Sequence, residues 1–174
     1  MLLNLVPLIV PMDKLSMYSA AEEIVKFNEK SIEHGLSLSH GDAVQLVETR
    51  RIALSANGRI EIGSATIGKI IENFCDSAYI TQEDYAEILH DLLETFYYMK
   101  NETLDLISDD ELIELMKDYF ETRCRGSLDL LKHRELEQLA RNLRFNITNY
   151  ANVNEFHEEN GNKDFYGEEI EEGY

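Results

Sequence analysis

Apolar residues recur at helical spacing along most of the chain, and the clearest pattern lies between Ile80 and Gly126. One side of a first predicted helix carries Tyr85, Ile88, Leu89, Leu92, Phe96 and Met99. One side of a second predicted helix carries Leu112, Leu115, Met116 and Tyr119. This period predicts two amphipathic helices. The link between them, roughly 101–107, is short, which favours antiparallel neighbours.

Helix-start signals precede both of these helices. Thr81 with Asp84, and Ser108 with Glu111, have the spacing of a capping box. In such a box the hydroxyl accepts from a backbone N–H three residues later, and the acidic side chain reaches back to the cap. We therefore predict that the helices begin at these caps, and that Gly126 ends the second one.

Further helices are predicted on the N-terminal side of this pair. The pattern favours a helix over 17–34 and another from Ser39 to about residue 56, where Ser39 and Asp42 form a third box. A short apolar helix then leads to Phe74. The residues between, 59–62, alternate like a strand but have no second strand to pair with, so we predict an extended connector.

A last helical stretch follows Ser127 and reaches about residue 145. Lys132 falls on its apolar face, so we predict an interruption near His133 rather than one straight helix. Together these elements predict an all-α fold, a single helical bundle domain of about five to seven helices with a flexible acidic C-terminal tail.

Three regions are expected along the chain. Residues 1–16 form an apolar N-terminal arm, which Pro7 and Pro11 break and which is too short to span a bilayer. Residues 17–146 form the helical domain. Residues 147–174 form an acidic tail, which we expect to be mobile. One hypothesis folds this tail back on the locally basic segment 123–144.

Charge limits the classes of partner. The chain has 34 acidic and 16 basic residues, a formal net charge of −18. This argues against direct binding to nucleic acid or to an anionic membrane, and it would suit a basic protein partner. Cys75 and Cys124 lack disulfide or metal spacing, so we expect free thiols in a reducing, cytoplasmic compartment.

Arg50 is the first residue with candidate chemistry. It falls in the middle of the apolar face of its helix, where a guanidinium must be paired, reach water along its stem, or bind an anion. Glu61 and Asp76 are the carboxylates that could pair with it. With Arg59, these residues form a predicted ligand site or buried ion-pair site near Arg50.

A second candidate lies on the helix that follows Thr81. Glu87 and His90 have the spacing of half a carboxylate-bridged metal site, but the chain has no second Glu-x-x-His. Helical spacing also places the polar residues on the side opposite the apolar stripe. We therefore expect no metal or other cofactor and predict a partner surface formed by Glu83, Glu87, His90, Glu94, Tyr97 and Tyr98. No nucleophile, paired-carboxylate or phosphate-loop pattern is visible, so no catalytic residue is predicted.

Three runs carry a family resemblance: NGRIEIG, NFCDSAYITQEDYAEIL and FYYMKNETLDLISDDELIELMKDYF. They resemble short acidic proteins of Gram-positive, mainly clostridial, bacteria that are grouped only as a domain of unknown function. The likeness covers roughly Tyr18 to Phe145. It implies a bacterial cytosolic protein and offers no catalytic residues.

Three functional hypotheses remain open from the sequence. The first is a non-enzymatic cytosolic helical module that binds an unidentified protein partner. The second is a small-ligand-binding protein or small enzyme with a pocket between helices near Arg50. The third is an acidic mimic of nucleic acid. The sequence leaves the oligomeric state open.

Overall fold

The computed structural model describes residues 12–146, with side chains from Lys14 onward. The helices are α1 (Met12–Lys26), α2 (Asn28–Ser31), α3 (His40–Ala56), α4 (Ala65–Phe74), α5 (Tyr85–Glu102), α6 (Asp109–Thr122) and α7, which begins at Leu128–Leu130. A 3₁₀ turn, Ile32–His34, follows α2. No strand occurs within 12–146, and 59–62 is an extended connector. The prediction of an all-α helical bundle is confirmed.

Helix α5 lies at the centre of the bundle. It contacts α3, α4, α6 and α7, while α1 packs on the far side of α3. Because α5 has neighbours on several sides, it buries more than one stripe: Leu92, Phe96, Tyr97 and Met99 are all at most 1% exposed. Burial of these large side chains in one core supplies the main driving force for folding.

The helix starts agree with two of the three predicted boxes. Ser39 with Asp42, and Ser108 with Glu111, form complete capping boxes. Thr81 behaves differently, because its N–H and its hydroxyl both donate to the Asp84 carboxylate, at 2.7 and 2.9 Å. This arrangement makes a turn, and α5 begins only at Tyr85.

The N-terminal helix differs from the prediction at both ends. It spans Met12–Lys26, so residues 12–16, which were predicted to belong to the N-terminal arm, are helical. It breaks at Phe27, where the Asn28 side chain exchanges two hydrogen bonds with the backbone of Leu38, at 2.8 and 2.7 Å. The Phe27 ring then lies directly over Gly68 of α4, where a Cβ would come within 2.3 Å of it.

The predicted interruption of the last helix is present. Leu131–Leu136 is π-helical, and the chain continues as α-helix over 137–146. Leu131 and Leu136 are both fully buried, although five residues separate them. A π turn brings such positions to the same side, which an uninterrupted α-helix does not.

Two predicted regions lie outside the described residues. These are residues 1–11 of the predicted arm 1–16 and the tail 147–174, so the arm over 1–11, the tail and its fold-back on 123–144 stay predictions. Within 12–146 none of the helices has both the length and the apolar character needed to cross a membrane.

Candidate functional site

A cavity of about 670 Å³ opens between α1, α3 and the connector that precedes α4. Its apolar wall consists of Met17, Ala20, Val47 and Leu54. Its charged groups are Lys14, Glu48, Arg50, Arg51 and Glu61. The volume falls in the range of about 300–1,000 Å³ that is typical of small-molecule sites.

Arg50 projects from the buried face of α3 and is only 8% exposed. Its Nη2 donates to the backbone carbonyl of Glu61 at 3.1 Å, and its guanidinium also lies against the Tyr97 hydroxyl. Its Nε has no hydrogen-bond partner. No carboxylate within 12–146 forms an ion pair with it. Arg50 is thus a buried cation that donates to a carbonyl, while the Glu61 carboxylate, bonded to the same Tyr97 hydroxyl, lies nearby without pairing with it. Burying a charge without a direct ion pair costs free energy, which an anion in contact would offset.

Glu61 holds the connector against the bundle through its side chain. Its carboxylate accepts short hydrogen bonds from the hydroxyls of Thr66 and Tyr97. Burial raises the pKa of Tyr97 strongly, and the neighbouring Glu61 carboxylate raises it as well. The Tyr97 hydroxyl therefore stays protonated and serves as a donor to Glu61 at ordinary pH.

The other two predicted members of the site lie elsewhere. Arg59 binds Asp105 through two hydrogen bonds of 3.0 and 2.6 Å, and this holds the pKa of the Asp105 carboxyl below its usual range. Asp76 accepts from Lys117 at 2.6 Å. The structure therefore brings together Arg50 and Glu61 only, and Glu61 meets Arg50 through its backbone carbonyl rather than its carboxylate.

The remaining charges of the cavity leave an excess of positive charge. Arg51 binds Glu48 through two hydrogen bonds, at 2.8 and 2.5 Å, so these two charges offset each other. The Glu61 carboxylate already accepts two hydroxyls. The cavity is lined by three cations and two carboxylates, and of these cations Lys14 and Arg50 form no ion pair with a carboxylate among residues 14–146. The cavity is therefore suited to a negatively charged group, although the whole chain is acidic.

Sequence reasoning missed several residues of this region. Lys14 and Met17 lie at the start of α1, and Lys14 falls within the predicted arm 1–16. The sequence offers one sign that Lys14 could be helical: prolines such as Pro11 are common at helix starts. Tyr97 was missed as a Glu61 partner because the connector that meets it comes from a distant part of the chain.

The predicted partner surface is only partly exposed. Glu83, Glu87 and Glu94 face solvent, and Tyr98 is 37% exposed. His90 is half-buried and shares a hydrogen bond of 2.5 Å with Thr49 of α3. The placement of Tyr97 on this surface is wrong, since its side chain is 1% exposed. No group of three or more His, Cys, Asp or Glu side chains within 12–146 is arranged to hold a metal ion.

A different surface exposes apolar side chains. Ile60 and Ile62, on the connector, are 97% and 95% exposed. Leu104 and Leu106, on either side of Asp105, are 61% and 52% exposed. The Arg59–Asp105 pair joins the two loops. We call Ile60, Ile62, Leu104 and Leu106 the connector surface.

Comparisons with known proteins place the chain in a family without adding a function. No curated protein and no solved structure matches it. A model of a family of unknown function, DUF6323, matches residues 23–149, which include α3 to α6, Arg50 and the connector. The chain therefore belongs to the DUF6323 family of unknown function.

Proposed function

We propose that the protein is a cytoplasmic, non-enzymatic binding protein that holds a small organic anion in the cavity between α1 and α3. The observation that supports this is the state of Arg50. It is buried, lines a cavity of ligand size, and is paired with a carbonyl and a hydroxyl instead of a carboxylate. The sequence favours an interaction module as the leading hypothesis, whereas a buried Arg50 that donates to a carbonyl instead of a carboxylate favours ligand binding.

The energetic argument concerns the charge of Arg50. A guanidinium can donate to an anion through hydrogen bonds that contribute roughly 1.5–3 kcal/mol each, about twice the contribution of neutral ones. The Glu61 carbonyl takes one N–H of Nη2, and Nε is fully buried without an acceptor, so a ligand in the cavity would meet the terminal nitrogens only. An anion beside these nitrogens would offset part of the cost of burying the charge.

The test is calorimetry of the full chain with a panel of small organic anions, repeated on Arg50→Met. Methionine keeps much of the apolar stem and removes the charge. Loss of one or two charge-assisted hydrogen bonds should weaken binding by roughly ten- to a hundredfold. Arg141→Met is the matched control, because Arg141 is exposed on α7, away from the cavity.

Two results would overturn the proposal. One is the absence of saturable binding by any anion of the panel. The other is equal affinity of Arg50→Met and the parent chain. Thermal unfolding of each variant shows whether a loss of binding comes from a loss of fold.

The connector surface supports a second proposal, a protein-interaction role. Isoleucine side chains as exposed as Ile60 and Ile62 are unusual on a folded protein, and grouped apolar exposure marks contact sites. The experiment places a photo-crosslinking residue at position 60 and, as a control, at Ile32, which is 64% exposed on another part of the bundle. A defined partner captured from position 60 and not from position 32 supports this role, and identical products from both positions contradict it.

A further inference from the structure

We infer that the anion held by Arg50 is a monocarboxylate with an aliphatic body. This inference rests on the proposed binding function and narrows its ligand class. It follows from the charges, the walls and the size of the cavity between α1 and α3.

The charges that line the cavity favour a ligand with one negative charge over a ligand with two. Glu48 and Glu61 both line the cavity, so a second negative charge on the ligand would be repelled by their carboxylates. Arg51 already offsets Glu48. Among the cations that line the cavity, Arg50 is the deeply buried one, and it donates to a carbonyl rather than to a carboxylate. A dianion such as a phosphate monoester suits this balance less well than a monoanion.

The shape of the donor favours a carboxylate. A guanidinium is a planar fork whose parallel N–H groups match the two oxygens of a carboxylate. A lysine in the same place would supply a point charge without this geometry. The carbonyl of Glu61 takes one N–H of Nη2, and Arg50 is among the residues that line the cavity, so the terminal nitrogens are the groups that a carboxylate would meet.

The walls and the volume favour an aliphatic body. Met17 and Ala20 on α1 face Val47 and Leu54 on α3 across the cavity. These four side chains offer no hydrogen bond to a ligand, and within residues 14–146 Ser16 is the one uncharged side chain of the lining that does. At about 670 Å³ the space is far larger than an inorganic anion requires. A hydrocarbon chain fills such a space and releases water from its walls.

The experiment measures binding to the full chain by calorimetry, with each amphiphile kept below its micelle concentration. The probes are butanoate, octanoate, octyl phosphate and octylamine. Octanoate should bind more tightly than butanoate, by about fourfold for each methylene that the cavity buries. Octyl phosphate and octylamine should bind more weakly than octanoate. Arg50→Lys, which keeps the charge, should lower octanoate affinity by about tenfold.

Each alternative outcome overturns a defined part of the inference. Tighter binding of octyl phosphate than of octanoate rules out the carboxylate and leaves the proposed anion-binding function standing. Equal affinity of butanoate and octanoate rules out the aliphatic body. Preferential binding of octylamine, or no binding of any anion, overturns both this inference and the proposed function.

Discussion

Replacing Tyr97 with phenylalanine tests the hydroxyl that joins the connector to the bundle and also lies against Arg50. The substitution removes one hydroxyl and keeps the ring, which packs edge-on against Phe96 with centroids 5.1 Å apart. It takes away one of the two hydroxyl donors of the Glu61 carboxylate and leaves the other, Thr66, in place.

The size of the effect follows from burial and charge. Tyr97 is 1% exposed, so water cannot replace its hydroxyl without rearrangement. Hydrogen bonds to charged groups contribute roughly 1.5–3 kcal/mol, and their loss also leaves an acceptor underused. Because Thr66 still donates, we expect a loss near the lower end, about 2 kcal/mol in the free energy of unfolding.

Denaturant unfolding followed by circular dichroism measures this loss, and the neighbouring residue supplies a matched control. The Tyr98 hydroxyl is exposed and meets Glu137 at 3.2 Å, so Tyr98→Phe should change stability by less than about 0.5 kcal/mol. The reasoning would be refuted if the two variants had the same midpoint at unchanged denaturant slope. Equal midpoints would mean that Glu61 and Tyr97 do not hold the connector.

Three further predictions concern stability. Tyr85→Phe should be neutral within about 0.5 kcal/mol or stabilising in denaturant unfolding, because the buried Tyr85 hydroxyl lies beside Ser31 but forms no hydrogen bond of ordinary geometry with it. A loss above 1 kcal/mol, roughly one hydrogen bond, would contradict this. Burial raises the pKa of Tyr85 to about 12 and also raises that of Tyr97. Each of these tyrosines has a higher pKa in the folded protein than in the unfolded chain. The stability that this difference contributes is complete below about pH 10 and is lost as the pH rises through the pKa values of the folded protein. A pH series of unfolding midpoints should show this decline, and Tyr97→Phe should lessen it. Gly126→Ala should destabilise the protein more than Gly58→Ala, by roughly 1–3 kcal/mol in the same assay. Both glycines have a positive φ, but a Cβ at position 126 would lie 2.5 Å from Tyr79, whereas a Cβ at position 58 would meet no atom. Equal losses in the two variants would show that Tyr79 can move aside.

Local features of the fold could be predicted because neighbouring residues determine them. The capping boxes at Ser39 and Ser108 use side chains three positions apart, so their spacing is visible in the sequence. The interruption near His133 is visible for a related reason, since a lysine on an apolar face signals a change of helical period. The late start of α5 was missed because Thr81 and Asp84 have the spacing of a cap even when they form a turn.

The candidate site could be predicted only in part. The position of Arg50 on an apolar face indicates burial, which the structure shows at 8% exposure. The identity of its partners depends on how the connector crosses α3, and no local pattern encodes that path. Tyr97 was misplaced for a similar reason: a single apolar stripe predicts one buried side, whereas α5 is packed by neighbours on several sides.

The π-helical turn of the last helix determines which positions its two halves present to the core. Each residue of an α-helix advances the side-chain direction by about 100°, so one extra residue in a turn shifts everything beyond it by that angle. The turn at Leu131–Leu136 absorbs such a residue, and both Leu131 and Ala140 remain fully buried. A single-residue deletion here would restore regular helix and leave both halves facing the core, because it removes the residue that the turn absorbs. An insertion would instead rotate one half by about 100° relative to the other. In this segment, therefore, the loss of one residue would be tolerated better than the gain of one.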